Sequence, residues 1–237
     1  PDPKQVDNLR MHSRPTTALS TPIFLLLIAV AAVSTGTAVL GLLELHRVTK
    51  PLAMLVAIIF IATRAYQSRP KGRFESKFKT WLLLALVCSL AGDVALMFPG
   101  YFIPGLLAFL LAHLAYIALL KQGQAWFPSR RALVATLGLG AAMYAVLWVG
   151  GLPPALRAPV AAYVVVITLM AAQAIGRATV LHDKAAWGVA LGAGFFMLSD
   201  TLLALNKFVV PLPLAPLWVL STYYTAQILI VRHARPS

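Results

Sequence analysis

The sequence predicts an all-α polytopic membrane protein with eight transmembrane helices. Three observations predict it. Of 237 residues, 60% are hydrophobic and 11% are charged, against about 45–50% and about 25% in a soluble domain. The apolar residues fall into eight runs, each near the roughly 20 residues that cross a bilayer core. The breaks between runs carry proline, glycine and basic residues. A hydrophobic run in lipid must be a helix or a strand of a closed barrel, and these runs are too long and too weakly alternating for strands. The same composition excludes a soluble globular protein, a disordered one and a nucleic-acid-binding domain. The net charge of +13 is split into short clusters between apolar runs, so no nucleic-acid partner is expected. Cys88 is the single cysteine, which excludes an intrachain disulfide.

The elements follow in order. Residues 1–20 read as a polar N-terminal tail, of which 1–10, ahead of Met11, are a remnant of expression or processing. A single membrane domain occupies 21–231, and 232–237 form a basic C-terminal tail. The eight runs are 22–42, 52–66, 80–98, 103–120, 132–149, 158–176, 185–205 and 214–231. Run 52–66 is the shortest and has room to begin before Pro51. Pro51, Pro99-Gly100, Pro104, Gly150-Gly151, Pro153-Pro154, Pro211 and Pro213 mark turns or first helical turns.

Lysine and arginine set the orientation. Sixteen of the twenty fall at the termini and in the second, fourth and sixth loops, which places both termini in the cytoplasm. Arg47, Lys50, Arg157 and Lys207 lie on the sparse face, where the positive-inside rule does not account for them. An internal repeat accompanies this pattern. Ala91-Gly92-Asp93-Val94-Ala95-Leu96 and Leu198-Ser199-Asp200-Thr201-Leu202-Leu203 stand 107 residues apart, and the same offset carries Lys50 to Arg157. In both places a proline follows closely. The pattern suggests two four-helix halves of the same orientation, with Asp93 about 7 Å and Asp200 about 8 Å from the outer ends of their helices.

A charge inside a bilayer costs at least about 2.5–3.5 kcal/mol on insertion scales, so an intramembrane acid faces the bundle interior and has a role. Asp93 and Asp200 lie inside runs and Glu44 lies at the edge of one. His113 and Tyr116 share a face of the fourth helix, and Tyr223 and Gln227 share a face of the eighth. Tyr224 stands beside them, and Asn206 caps the outer end of the seventh. No zinc-binding His or Cys spacing occurs, so neither a metal nor another cofactor is expected; Asp93, Asp200 and His113 are the one set of ligands a metal would have. No nucleophile elbow or phosphate-binding glycine loop is present.

Two carboxylates in close range do not both ionise readily, which yields one acid and one carboxylate. That pair suits reactions through an oxocarbenium ion, such as hydrolysis of a vinyl ether. A vinyl-ether lipid also has a phosphate to hold, and Arg157, Lys207, Arg47 and Lys50 are the cations nearest the aspartates. Glu44 is placed either to hold a choline or ethanolamine cation or to pair with Arg47 or Lys50.

These motifs resemble the YhhN-like family, the lysoplasmalogenases. The resemblance rests on Gly92-Asp93-Val94-Ala95-Leu96-Met97 followed by Gly105 to Tyr116 through His113. It continues in Phe196-Met197-Leu198-Ser199-Asp200-Thr201 followed by Tyr223-Tyr224-Thr225-Ala226-Gln227, and Lys50-Pro51 also fits. It spans about residues 40–231 and implies an eight-helix hydrolase that needs no metal. Its implied substrate is a lysoplasmalogen, a lysophospholipid of the surrounding membrane, cleaved at the alkenyl ether to a fatty aldehyde and glycerophosphocholine or glycerophosphoethanolamine. Position by position, it implies Asp93 and Asp200 as the catalytic pair, with Lys50, His113, Tyr116, Asn206, Tyr223 and Gln227 in support. The membrane is the inner membrane if the source is bacterial and the endoplasmic reticulum if eukaryotic. The alternative reading is a proton-coupled transporter or lipid flippase that uses the same aspartates.

Overall fold

In the computed structural model of the chain, residues 16–64 and 73–236 are described, with side chains for 21–64 and 76–236. Lys4, Arg10, Arg14, Arg69 and Lys71, five of the sixteen basic residues used for orientation, lie outside them, as does the tail segment 1–10. The described residues form eight helices and no strand: α1 Thr16–Val39, α2 Leu43–Thr63, α3 Arg73–Leu96, α4 Phe102–Lys121, α5 Arg130–Val149, α6 Pro154–Leu181, α7 Lys184–Phe208 and α8 Ala215–His233. Seven are long and apolar enough to cross a membrane. The eighth, α8, falls short because Ser221, Thr222, Tyr223, Tyr224, Thr225 and Gln227 interrupt its apolar residues.

Several helices outrun the apolar runs, and each extension moves a polar residue. Helix α2 begins at Leu43 and passes through Pro51, so Glu44, Arg47 and Lys50 are helical rather than in a loop. Helix α6 runs to Leu181, so Arg177 leaves the expected cytoplasmic loop and is buried. Its guanidinium donates to the carbonyls of Leu120 (3.2 Å) and Gln122 (2.9 Å), which closes the end of α4. Helix α7 continues to Phe208, whereas α3 stops at Leu96. Asp93 is therefore about 4.5 Å and Asp200 about 12 Å from its own helix end, and the equal spacing expected from the repeat is not found. Five more helical residues after Asp200 than after Asp93, about one and a half turns, are the cause.

Helix pairings recur in the two halves. α1 lies along α2 and α5 along α6; α3 lies along α4 and α7 along α8. The α3–α4 crossing needs Gly92, where an added Cβ would come within 2.5 Å of the Phe109 ring, and the α7–α8 crossing needs Gly192, where it would meet Ile230 at 2.8 Å. Small residues at such crossings let backbones approach where lipid offers no hydrophobic drive to association. The halves then diverge. α1 closes onto α8, while α5 makes no close approach to α4 among the described residues and leans instead on α6 and α7. A cavity of about 400 Å³ opens between α4, α5, α6 and α7 as a result.

Outside the spans, Asp183 caps α7 by accepting from the Ala186 N–H at 2.7 Å, and Arg235 lies 3.3 Å away. The cap bond, then Arg235, holds its carboxyl below the usual carboxylate range. A carboxyl depressed in the folded state adds stability at pH values above its unfolded range and loses it as pH falls through the folded one. Asp183→Ala is thus expected to lower stability by about 1 kcal/mol at neutral pH, with the difference from wild type vanishing in acid. Thermal unfolding in detergent at neutral and acidic pH measures it.

Candidate active site

Two polar clusters sit at the centre of the bundle. In the first, Asp93 of α3 receives Lys50 of α2 on Oδ1 at 3.1 Å and the Tyr223 hydroxyl of α8 on Oδ2 at 2.5 Å. Its side chain is 2% exposed. Gln227, one turn along α8, donates to the Tyr223 oxygen at 3.3 Å and accepts from the Tyr116 hydroxyl at 2.9 Å. Both carboxylate oxygens of Asp93 are engaged, so it is a satisfied buried ion pair.

In the second cluster, Asp200 of α7 accepts the Tyr163 hydroxyl of α6 on Oδ2 at 2.6 Å, with His113 Nε2 of α4 at 3.4 Å from the same oxygen. The Tyr163 hydroxyl is also 3.0 Å from His113 Nε2. His113 Nδ1 is buried without a hydrogen-bond partner. An orphaned N–H costs more than an orphaned lone pair that leaves no proton stranded, which favours the proton on Nε2, where acceptors are within reach. The Asp200 hydrogen bonds all fall on Oδ2, and its side chain is 18% exposed.

Phe196 joins the clusters. Its ring is fully buried and contacts His113 (4.7 Å between centroids), Tyr223 (5.5 Å), Phe109 (6.1 Å) and Tyr116 (6.3 Å), all four edge to face. The carboxylates share no hydrogen bond. Each aspartate has its own set of hydrogen-bond partners, with the Phe196 ring packed against residues of both clusters, and Asp93, Asp200 and His113 do not gather as a metal-ligand group among the described residues.

Only the second cluster meets the cavity. Among the described residues, Asp200 and Tyr163 are the only ionisable groups on its wall; the rest is apolar or threonine, from Phe102 and Phe208 at one end to Ile175 and Gly194 at the other. The cavity runs about 22 Å along α6 from Val160 to Ile175.

The other expected residues are placed as follows. Lys50 and Tyr223 serve Asp93, and His113 serves Asp200. Tyr116 and Gln227 act one bond further out. Tyr224 donates to Ser34 at 2.8 Å rather than to either carboxylate. Asn206 accepts from the Leu212 N–H at 2.9 Å, so it ties the α7–α8 loop rather than joining the site. Glu44 pairs with Arg47 at 2.6 Å on the exposed surface, because the α2 extension sets them one turn apart. Tyr163 was not found from the sequence. On the 107-residue offset it stands opposite Val56, so the repeat offers no signal; only the need of a buried tyrosine hydroxyl for a partner does.

The same offset relates Tyr116 to Tyr223, and each half lends its last helix to the other: α8 reaches Asp93 and α4 reaches Asp200. A YhhN family model matches residues 45–234, which include both clusters.

The chain belongs to the YhhN family.

Among the proteins it is similar to, the human protein "Lysoplasmalogenase TMEM86B" is 37% identical over 63% of this chain and 61% of its own length. The pig protein of the same name is 34% identical over 76% of this chain and 71% of its own. The Mycobacterium bovis protein "Lysoplasmalogenase" is 30% identical over 78% and 70%. The chain thus spans about three fifths of the human and rat relatives it matches. No solved structure matches it significantly.

Proposed function

We propose that this YhhN-family protein is an integral membrane hydrolase that cleaves the vinyl ether bond of lysoplasmalogens to a fatty aldehyde and glycerophosphocholine or glycerophosphoethanolamine. The observation that carries it is the cavity: a long apolar slot whose only ionisable wall groups, among the described residues, are one carboxyl and one phenol. Its dimensions suit a single-chain lipid. Asp200 lies about 12 Å from Phe208 at one end, and Tyr163 about 18 Å from Ile175 at the other. The short side takes the head group and the long side takes the alkyl chain. By the positive-inside reading, the short side faces away from the cytoplasm.

In this reading Asp200 is both acid and base. Oδ2 already receives Tyr163 and His113, so the proton sits on Oδ1. It passes to the terminal-chain carbon of the C=C–O unit, the π pair forms the new C–H bond, and an oxocarbenium ion remains. The carboxylate left behind is held by its Tyr163 and His113 donors, faces the cation, and takes a proton from the water that attacks it. The hemiacetal then breaks its C–O bond, releasing aldehyde and the glycerol hydroxyl, so the sum is substrate plus one water. Asp93, closed off by Lys50 and Tyr223, acts through Tyr223 and the Phe196 wedge as a positioning residue.

The test is aldehyde release by purified protein in detergent, from 1-alkenyl-glycerophosphoethanolamine and 1-alkenyl-glycerophosphocholine, with and without chelator. Chelator-resistant turnover is expected. A folded protein that turns over neither substrate would overturn the hydrolase reading and favour lipid or proton transport.

A further inference from the structure

The four cations of the sparse face have different fates. Arg47 pairs with Glu44, and Lys50 pairs with Asp93. Arg157 and Lys207 have no carboxylate within ion-pair distance among the described residues. Both stand at the same end of the slot. The Lys207 ammonium lies over Phe102 (4.8 Å to the centroid) and Phe208 (5.8 Å), two rings that meet edge to face and line that end. The Arg157 guanidinium lies 4.0 Å over the Trp148 ring. Trp148 follows Leu147, and Arg157 precedes Val160 by one helical turn; Leu147 and Val160 both line the slot.

Arg157 is also held in place. Its Nε donates to the Leu152 carbonyl at 3.4 Å, and the Tyr144 hydroxyl donates to its own carbonyl at 3.1 Å. Among the described residues its terminal nitrogens have no hydrogen bond. An arginine and a lysine seated on aromatic faces, fixed near an apolar slot and lacking acids, make a receptor for an oxyanion. Arginine supplies the planar fork and lysine the point charge. Lys207 stands about 10 Å beyond Asp200 along α7. A phosphate joined through a glycerol to an ether bond at Asp200 falls on this side of the carboxyl.

We infer that Arg157 and Lys207 form a binding site for the phosphodiester anion of the lipid whose ether bond reaches Asp200. The inference rests on the proposed hydrolase reading and adds what selects the head group. The site reads the phosphate and not the choline or ethanolamine cation, because no carboxylate of the described residues lies within ion-pair distance of either cation.

The test compares two substrates of equal chain, 1-alkenyl-glycerophosphoethanolamine and phosphate-free 1-alkenylglycerol, in wild type, Arg157→Gln and Lys207→Gln. The ratio of kcat/KM for the phosphodiester to that for the alkenylglycerol is expected to fall about 10- to 100-fold in each variant, the worth of a charge-assisted hydrogen bond. An unchanged ratio would overturn the inference, even if both rates drop. A second arm needs no turnover. Stabilisation of the protein against heat by non-hydrolysable 1-alkyl-glycerophosphocholine, relative to 1-alkylglycerol, is expected in wild type and lost in both variants. This arm still reads the phosphate site if the hydrolase reading fails. Equal stabilisation by phosphatidylglycerol would assign the two cations to bulk anionic lipid and overturn the substrate assignment.

Discussion

Asp200→Asn is expected to lower kcat by about 10²- to 10⁴-fold, the usual contribution of a positioned general acid, while binding of a non-hydrolysable alkyl analogue persists. Asparagine keeps an oxygen for the Tyr163 hydroxyl, which lies 2.6 Å from Asp200 in the native cluster, so the helix contacts survive. It has no acidic proton to deliver and cannot become the carboxylate that faces the cation. Tyr163→Phe tests the same cluster from the other side. Removing a hydrogen bond to a charged group is worth about 1.5–3 kcal/mol, so a loss of roughly ten- to a hundredfold is expected, smaller than that of Asp200→Asn. Single-turnover aldehyde release, with analogue binding measured in parallel, separates chemistry from affinity. Wild-type rates in Asp200→Asn would remove this carboxyl from the reaction.

Lys50→Met is expected to destabilise the protein by about 3–5 kcal/mol, because it strands a charge in a site where Asp93 is 2% exposed. The double variant Lys50→Met with Asp93→Leu is expected to recover most of that loss, since removing both members of a buried pair is often close to neutral. Thermal unfolding of the wild type, both single variants and the double variant in detergent gives the coupling between them. Additive losses would mean that the pair does not form. Activity provides the second readout. Asp93 has both oxygens engaged and does not line the slot, so Asp93→Asn is expected to cost less in kcat than Asp200→Asn and to leave in place the alkaline limb of the pH profile, where the general acid loses its proton. Loss of that limb would make Asp93 an acid in its own right.

The fold class and the two aspartates were legible in the sequence because each rests on a rule that needs no partner. A run of apolar residues must become a helix in lipid, and an acid inside such a run must turn inward. Helix limits were less legible. Lys50, Arg157 and Arg177 look like loop residues because charge breaks an apolar run, yet each lies within a helix whose neighbours satisfy or accommodate the charge. The repeat was legible as a motif but not as a geometry. Its equal offsets suggested equal distances to the helix ends, whereas α7 runs on past Asp200 further than α3 does past Asp93, and each aspartate has its own hydrogen-bond partners.

By itself, then, the sequence determined that the chain is a helical membrane protein, which acids lie within it, and which cations are out of place. Tertiary structure alone decided which carboxylate meets the cavity. That outcome depends on α5 standing off α4 while α1 closes on α8, a difference in how two similar halves pack. It also depends on Tyr163, a residue that carries no periodic or motif signal. Packing joins residues such as His113 and Asp200, 87 positions apart, and no local pattern along a chain specifies such a contact.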